Sequence, residues 1–249
     1  MAKRKQESYR KLIITCICTF IALLFPYHLT AKTFEYKGNG KELANKDGRA
    51  DSMLVCQLRH KGISFSHNNS VTLLCTGQEK FDDLFKAIDQ ARSSIHLEYF
   101  NFRNDSINDE LIRHLEKKVR QGVEVRAIFD GFGNASNNQP MKKSTLRAIR
   151  KKGIEIYEFK PIEFPWIHDI FNRDHRKIVI IDGKIAYTGG MNVADYYIKG
   201  TKVVGSWHDM HCRIEGDEVN TLQNIFLRMW YLVSTKQVHG AKYYPLLLC

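Results

Sequence analysis

The chain has 249 residues, of which 43% are hydrophobic and 26% charged. That balance excludes a disordered or fibrous protein and leaves room for one domain or two small ones. A net charge of +11 points to an anionic partner, either phospholipid headgroups or nucleic acid, and charge alone does not choose between them.

The first residues carry Lys3, Arg4, Lys5, Arg10 and Lys11, and an apolar run over 12–25 follows, reaching Leu29 if Pro26, Tyr27 and His28 are included. A spanning helix needs about 20 residues. The strict run is shorter and fits the apolar region of a signal peptide. Residues 1–31 are read as a basic leader with a signal anchor or signal peptide, the uncleaved anchor being preferred, with the N-terminus inside. Cys16, Cys18, Cys56, Cys75, Cys212 and Cys249 form no paired CxxC spacing, so neither a disulfide nor a zinc site is expected.

Residues 32–69, rich in Lys, Asn, Gly and Ser, read as a linker with a short strand over 52–58. From residue 70 the texture becomes that of a folded domain. A strand is predicted over 71–75. A helix follows Gly77, with Phe81, Leu84, Phe85, Ile88 and Ala91 on one face. Residues 95–102 alternate Ile95, Leu97 and Tyr99 against His96, Glu98 and Phe100, a strand pattern. Ser106 is read as a cap, with Asp109 three positions on, for a helix carrying Ile107, Leu111, Leu115 and Val119 and ended by Gly122. A strand over 123–129 closes at Asp130-Gly131. Residues 131–140 read as a polar loop, 141–152 as a helix, 154–159 as a strand, and 161–166 as a proline-punctuated aromatic loop.

Next come His175-Arg176-Lys177, a β-branched run and Asp182-Gly183, then Lys184-Ile185-Ala186-Tyr187-Thr188-Gly189-Gly190-Met191-Asn192. Asp-Gly between two apolar runs is the signal for a type I′ hairpin turn. With Asp182 and Gly183 in the turn, Ile181 pairs with Lys184, Lys177 with Thr188 and His175 with Gly190. Alternation puts His175 and Lys177 on one face. The two glycines leave open space, and Asn192 sits just past the strand end. An imidazole, an ammonium and a carboxamide converging on one space suit a phosphoryl group. Asp182 lies roughly 20 Å away along the strand and is given the turn as its task, so Asp182→Asn is expected to be mild. After Asn192 a loop holds Tyr196, Tyr197 and Trp207. A strand over 210–214 and a helix over 217–233 follow, the helix with Val219, Leu222, Phe226, Met229 and Val233 as its core face. Residues 236–249 are a tail. The order of elements predicts an α/β sandwich with a mixed central sheet flanked by helices.

His175-x-Lys177, Asp182, Gly189-Gly190-x-Asn192 resembles the HxKxxxxD signature of the phospholipase D superfamily. Leu97-Glu98-Tyr99-Phe100, Phe129-Asp130-Gly131-Phe132-Gly133, Trp207-His208-Asp209, Arg213-Ile214-Glu215-Gly216 and Leu222-Gln223-Asn224-Ile225-Phe226 look like the cardiolipin synthase branch. The resemblance covers about residues 70–235, read as one phospholipase D-like half-domain. It implies a phosphatidyltransferase that passes a phosphatidyl group between two phosphatidylglycerol molecules and releases glycerol. It implies a phosphohistidine, a second histidine as the leaving-group acid, and no metal or organic cofactor. On it, His175 is the nucleophile or the acid, Lys177 and Asn192 bind phosphate, and Asp182, Gly183, Gly189 and Gly190 shape the motif. Asp209 is assigned the task of orienting His175. Partners implied are anionic phospholipid and the membrane, with the catalytic domain on the outer side of an inner membrane.

Members of the superfamily bring two signatures together, and this sequence contains one His-x-Lys. Two expectations follow: a symmetric homodimer that shares one site, or a half separated from its second half-domain, the latter preferred. Two other functions stay open. One is a dimeric phospholipase D-type nuclease, for which nucleic acid is the partner. The other is an inactive lipid-binding half-protein. His208 and His211, three apart on a strand, point to opposite faces and are not read as a metal pair. Glu98 is left without a catalytic role.

Overall fold

The computed structural model describes residues 49–61, 66, 68–161 and 171–245. The leader and apolar run, the aromatic loop after Pro161, and residues 246–249 lie outside them. The chain divides into two units, Met1–Ser64 and Phe65–Cys249. Within the first, Arg49–His60 is a helix, α1, where a short strand over 52–58 is expected. The reason is visible in the spacing: Ala50, Met53, Leu54 and Leu58 recur at three and four residues, a helical period. No helix among the described residues is long and apolar enough to cross a membrane.

The second unit runs β1 (Asn69–Leu74), α2 (Gly77–Gln90), β2 (Ser94–Tyr99), α3 (Ser106–Arg120), β3 (Glu124–Asp130), α4 (Gly131–Ser136), α5 (Lys143–Lys151), β4 (Glu155–Phe159), β5 (Ile178–Ile181), β6 (Ile185–Gly189), α6 (Tyr196–Lys199), β7 (His211–Gly216) and α7 (Glu218–Ser234). The seven strands form one mixed sheet in the order β1-β7-β6-β5-β2-β3-β4. The pairs β2–β3 and β3–β4 are parallel, each joined through helices, and the other pairs are antiparallel.

Strand alternation divides the sheet between two cores. Ile95, Leu97 and Tyr99 of β2 join Val179 and Ile181 of β5 under α2, α3 and α5. Ile178 and Ile180 point the other way and meet Phe226, Met229 and Trp230 of α7. His96 shares that second face. Its ring stacks on Phe226 at 4.5 Å, and burial holds its pKa down at about 3. It is a core histidine.

Two helix starts differ from expectation for one reason: a carboxylate outcompetes other caps for the free N–H groups of the first turn. Asp105, not Ser106, caps α3 and accepts from Asn108 N–H, which leaves the Ser106 hydroxyl to donate to Asp195. Asp130 accepts from Phe132 and Gly133 N–H at 2.9 Å each and turns the supposed polar loop into α4.

The hairpin forms with both turn residues at positive φ, Asp182 at 53° and Gly183 at 64°. Its register is one residue from the expected one: Ile181 pairs with Ile185 and Ile178 with Thr188. Lys184 N–H still closes the turn on Ile181 C=O at 3.0 Å, so Lys184 belongs to the loop. Extending the register by one residue sets Lys177 opposite Gly189.

Asp182 also does more than turn the chain. Its carboxylate accepts the backbone N–H groups of Arg92, Ser93 and Ser94 at 2.8, 2.7 and 2.9 Å. It thereby staples the hairpin to the start of β2. Asparagine keeps the turn geometry but offers one oxygen to three donors. The mild effect expected of Asp182→Asn is therefore revised to a loss of about 1–2 kcal/mol, and to about 3 kcal/mol for Asp182→Ala. Chemical denaturation of the two variants would check this; equal midpoints for Asp182→Asn and the native chain would sink it.

Candidate active site

His175 and Lys177 lie on the segment that leads into β5. Three successive residues there face alternately. His175 and Lys177 share the side of Val179 and Ile181, while Arg176 turns to the side of Glu98. The His175 imidazole is exposed, and Lys177 is buried. The Lys177 ammonium lies 3.1 Å from each ring nitrogen of His175 and donates to the His175 carbonyl at 2.7 Å. Phe100 forms a wall beside the pair, 4.7 Å from the His175 ring and 5.5 Å from the ammonium.

Electrostatics prepare both groups. Burial pushes Lys177 down to about 8, against the pull of Asp174 and Asp209. Partial burial and the Lys177 charge hold His175 below its ordinary value. At neutral pH the imidazole is thus free of its extra proton and able to attack, while the ammonium beside it keeps its charge.

Behind His175 a carboxylate fixes the backbone. Asp130, fully buried, accepts Asp174 N–H at 2.8 Å through the oxygen not used to cap α4, and Arg173 lies 3.4 Å from its other oxygen. One side chain at the end of β3 therefore sets the position of the residue before the histidine. On the opposite side, Arg176 donates to Glu98 at 2.6 Å and to Asp174 at 3.2 Å. Burial, and then the neighbouring Asp174, push Glu98 up to about 8. Glu98 keeps its proton at neutral pH, so it is a fastening of the 174–176 segment.

Asn192 is buried with its carboxamide already engaged. Its oxygen accepts from Asn101 N–H at 3.2 Å, and its nitrogen donates to the Tyr197 hydroxyl at 3.2 Å. One amide hydrogen remains for a ligand. Its backbone carbonyl takes a hydrogen bond from Lys80 at 3.3 Å. Lys80 comes from the first turn of α2, is fully buried, and packs 3.7 Å over the Phe81 ring. Burial pushes its pKa well below the ordinary lysine value, with Asp209 opposing.

Asp209 stands against Gly190, where any Cβ would collide with its carboxylate. A residue without a side chain is what lets the acid reach in. Its charge acts on Lys177 and Lys80, and it accepts from Met210 N–H. Among the described residues no hydrogen bond joins it to His175, and the carboxylates that act on the His175 ring are Asp130 and Asp174. Gly189 sits against His211, whose buried ring is held down to about 2 by burial and by Lys80 and Lys177.

The structure thus brings His175, Lys177, Asp209 and Asn192 to one end of the sheet, and it leaves Asp182 and Gly183 at the other. Sequence reasoning missed Lys80, Asp174 and the tie from Asp130. A lysine among Gly77, Phe81, Leu84 and Phe85 on the apolar face of α2 is the one signal that marks Lys80 in advance. Nothing local marks Asp130 beyond a carboxylate at a strand end.

A family model described as "Cardiolipin synthase, PLD-like domain" matches residues 84–230. Cardiolipin synthase 2 of Staphylococcus epidermidis is 37% identical over 212 residues, covering 84% of this chain and 42% of the relative. Cardiolipin synthase of Staphylococcus aureus is 38% identical over 196 residues, covering 78% and 39%. That of Halalkalibacterium halodurans is 39% identical over 178 residues, covering 71% and 34%. The chain spans about two fifths or less of the length of these curated relatives. Among solved structures, the fold is similar to a phosphatidylserine synthase of Haemophilus influenzae, with a TM-score of 0.54 at 13% identity over 69% of this chain and 39% of that one. It is also similar to NucT of Helicobacter pylori, with a TM-score of 0.51 at 18% identity over 67% of this chain and 98% of that one.

Proposed function

This chain belongs to the cardiolipin synthase, phospholipase D-like domain family, and we propose that it supplies one half of a phosphatidyl-transfer site. The observation that supports this most is the neutral, exposed His175 imidazole backed at 3.1 Å by the Lys177 ammonium.

In the proposed first step a ring nitrogen of His175 attacks the phosphorus of phosphatidylglycerol. The bond to glycerol breaks, and a second imidazole gives the glycerol oxygen its proton. Lys177 and the free amide hydrogen of Asn192 hold the phosphoryl oxygens as their charge grows. In the second step the primary hydroxyl of another phosphatidylglycerol attacks the phosphohistidine, the second imidazole takes its proton, and His175 leaves. The products are cardiolipin and glycerol, and no metal takes part. Asp209 supports the cations of the site from behind Gly190.

That scheme needs two imidazoles, and the His175–Lys177 pair supplies one. His211 cannot be the other, since it is buried and barely basic near neutral pH. The second comes from another half-domain of the same kind, in a second copy or in a joined half, facing this one across a twofold-like axis. The apolar run over 12–29 would hold the assembly at the membrane that contains its substrate.

The test is conversion of radiolabelled phosphatidylglycerol to cardiolipin in mixed micelles, followed against pH. The rate should rise as His175, held below the ordinary histidine value by partial burial and the Lys177 charge, loses its proton. It should fall as the second imidazole loses the proton it must give and as Lys177 loses its charge near 8. Lys177→Arg should remove the part of the alkaline fall that lies near 8, because arginine stays charged, and leave the part set by the second imidazole, while lowering the maximum rate because its planar fork fits the ammonium site poorly. A high-pH limb unmoved in Lys177→Arg would take Lys177 out of this role.

A further inference from the structure

Between α6 and β7 the chain makes a tight turn that displays apolar side chains to solvent. Thr201 and Gly205 exchange two backbone hydrogen bonds of 2.8 Å, and the Thr201 hydroxyl accepts from Val204 N–H at 3.0 Å. Gly200, at φ 66°, lies so close to the Gly205 carbonyl that a Cβ there would collide with it. The turn is therefore well braced, yet its tip holds Val203 at 94% exposure and Val204 at 62%. Neither valine serves the core. Trp207 follows at 38% exposure, with its ring 4.8 Å from Tyr196.

Below the tip lies an open groove of about 500 Å³ whose lining includes Arg103, Gln139, Tyr196, Lys199 and Lys202. Lys199 is paired with Asp195, which also lines the groove. Arg103 lies over the Tyr196 ring, donates to Gln139 at 3.0 Å and lies 3.9 Å from Asp105, so Lys202, which has no acidic partner among the described residues, is the groove's uncommitted cation. An apolar tip beside a cationic groove matches a lipid interface, with acyl chains on one side and anionic headgroups on the other. The turn is also tied to the site. Tyr196 donates to the Tyr197 hydroxyl at 3.1 Å, and that hydroxyl accepts from Asn192.

We infer that the turn over residues 200–207 is a membrane-contact element: Val203, Val204 and Trp207 enter the lipid interface, and Arg103, Lys199 and Lys202 hold an anionic phospholipid headgroup beside the site. The inference rests on the reading of bilayer phospholipid as the substrate and names how the site meets it.

The experiment uses the full chain bound to phosphatidylglycerol vesicles and reads quenching of Trp207 by lipids brominated near the headgroup end of the acyl chain. A Trp207→Phe variant supplies the background from Trp166 and Trp230. Quenching of the Trp207 signal should be at least twofold, and Val203→Asp/Val204→Asp should remove it while the chain stays on the vesicle. Equal quenching in the native and double-variant chains, or none in either, overturns the inference. So does a Trp207 signal that follows protein concentration and not lipid, which would mean that a second copy covers the turn. Quenching with no cardiolipin formed, in a preparation that also contains the second half-domain, supports the contact and counts against the proposed reaction. Cardiolipin formed without quenching counts against the contact alone.

Discussion

His175→Ala is expected to abolish phosphatidyl transfer, by about four to six orders of magnitude, with the fold intact. The fold survives because the imidazole is exposed and its hydrogen-bonding neighbour, Lys177, keeps its bond to the residue 175 carbonyl. Activity does not survive because, among the described residues, the two buried histidines of the sheet cannot replace the ring. His211 is buried behind Gly189 with its pKa near 2, and His96 is stacked under α7 on the other face of the sheet. The sharper readout is covalent. Acid-labile label from phosphatidylglycerol carrying radioactive phosphorus should appear on the native chain and be absent from His175→Ala. Label retained by the variant would move the nucleophile elsewhere. Label absent from both, in preparations that also contain the second half-domain, would remove the phosphohistidine from the scheme.

The second large effect is on stability. Asp130→Ala should cost about 3–5 kcal/mol, since it takes one buried carboxylate from three backbone N–H groups and from Arg173. Two of those N–H groups start α4 and the third positions Asp174, so the loss loosens both sides of the His175 segment at once. Asp130→Asn separates the two consequences. Its amide keeps one oxygen for α4 and presents an N–H to the Asp174 N–H, so the molecule should fold but hold His175 poorly. That variant is expected to lose about 2 kcal/mol in denaturation and to lose kcat more than substrate affinity. A native denaturation midpoint for Asp130→Ala would show that the carboxylate is dispensable. A native kcat in Asp130→Asn would show that it does not position the histidine.

Glu98 gives a contrast in sign. Its folded-state pKa is raised to about 8, so the folded form holds a proton that the unfolded chain gives up near 4.5. Its contribution to stability is fully present below the unfolded value and is lost as pH rises through about 8. Acid removal of stability is therefore not what this buried carboxylate produces. Its burial weakens the molecule toward alkaline pH, the same direction in which Lys177 loses the charge the proposed reaction needs.

The amino-acid sequence by itself determined the order of the seven strands and of α2, α3, α5 and α7, though not α1, α4 or α6, together with the hairpin and the sharing of one face by His175 and Lys177. Those are local matters: periods of 2.0 and 3.6 residues, and an Asp-Gly turn that only positive φ satisfies. The family signature was legible for the same reason, because its residues fall within one hairpin. What joins residues far apart in the chain was decided by the tertiary structure. Asp182 reaches N–H groups 88 to 90 positions away, Asp130 reaches Asp174 across 44, and Lys80 reaches Asn192 across 112. Alternation tells which face a side chain takes, but not which unpaired backbone group will be waiting there. The one-residue change in hairpin register has the same origin. Turn chemistry allows Lys184 in the strand or in the loop, and the partners of the sheet on both sides of β5 and β6 select the loop.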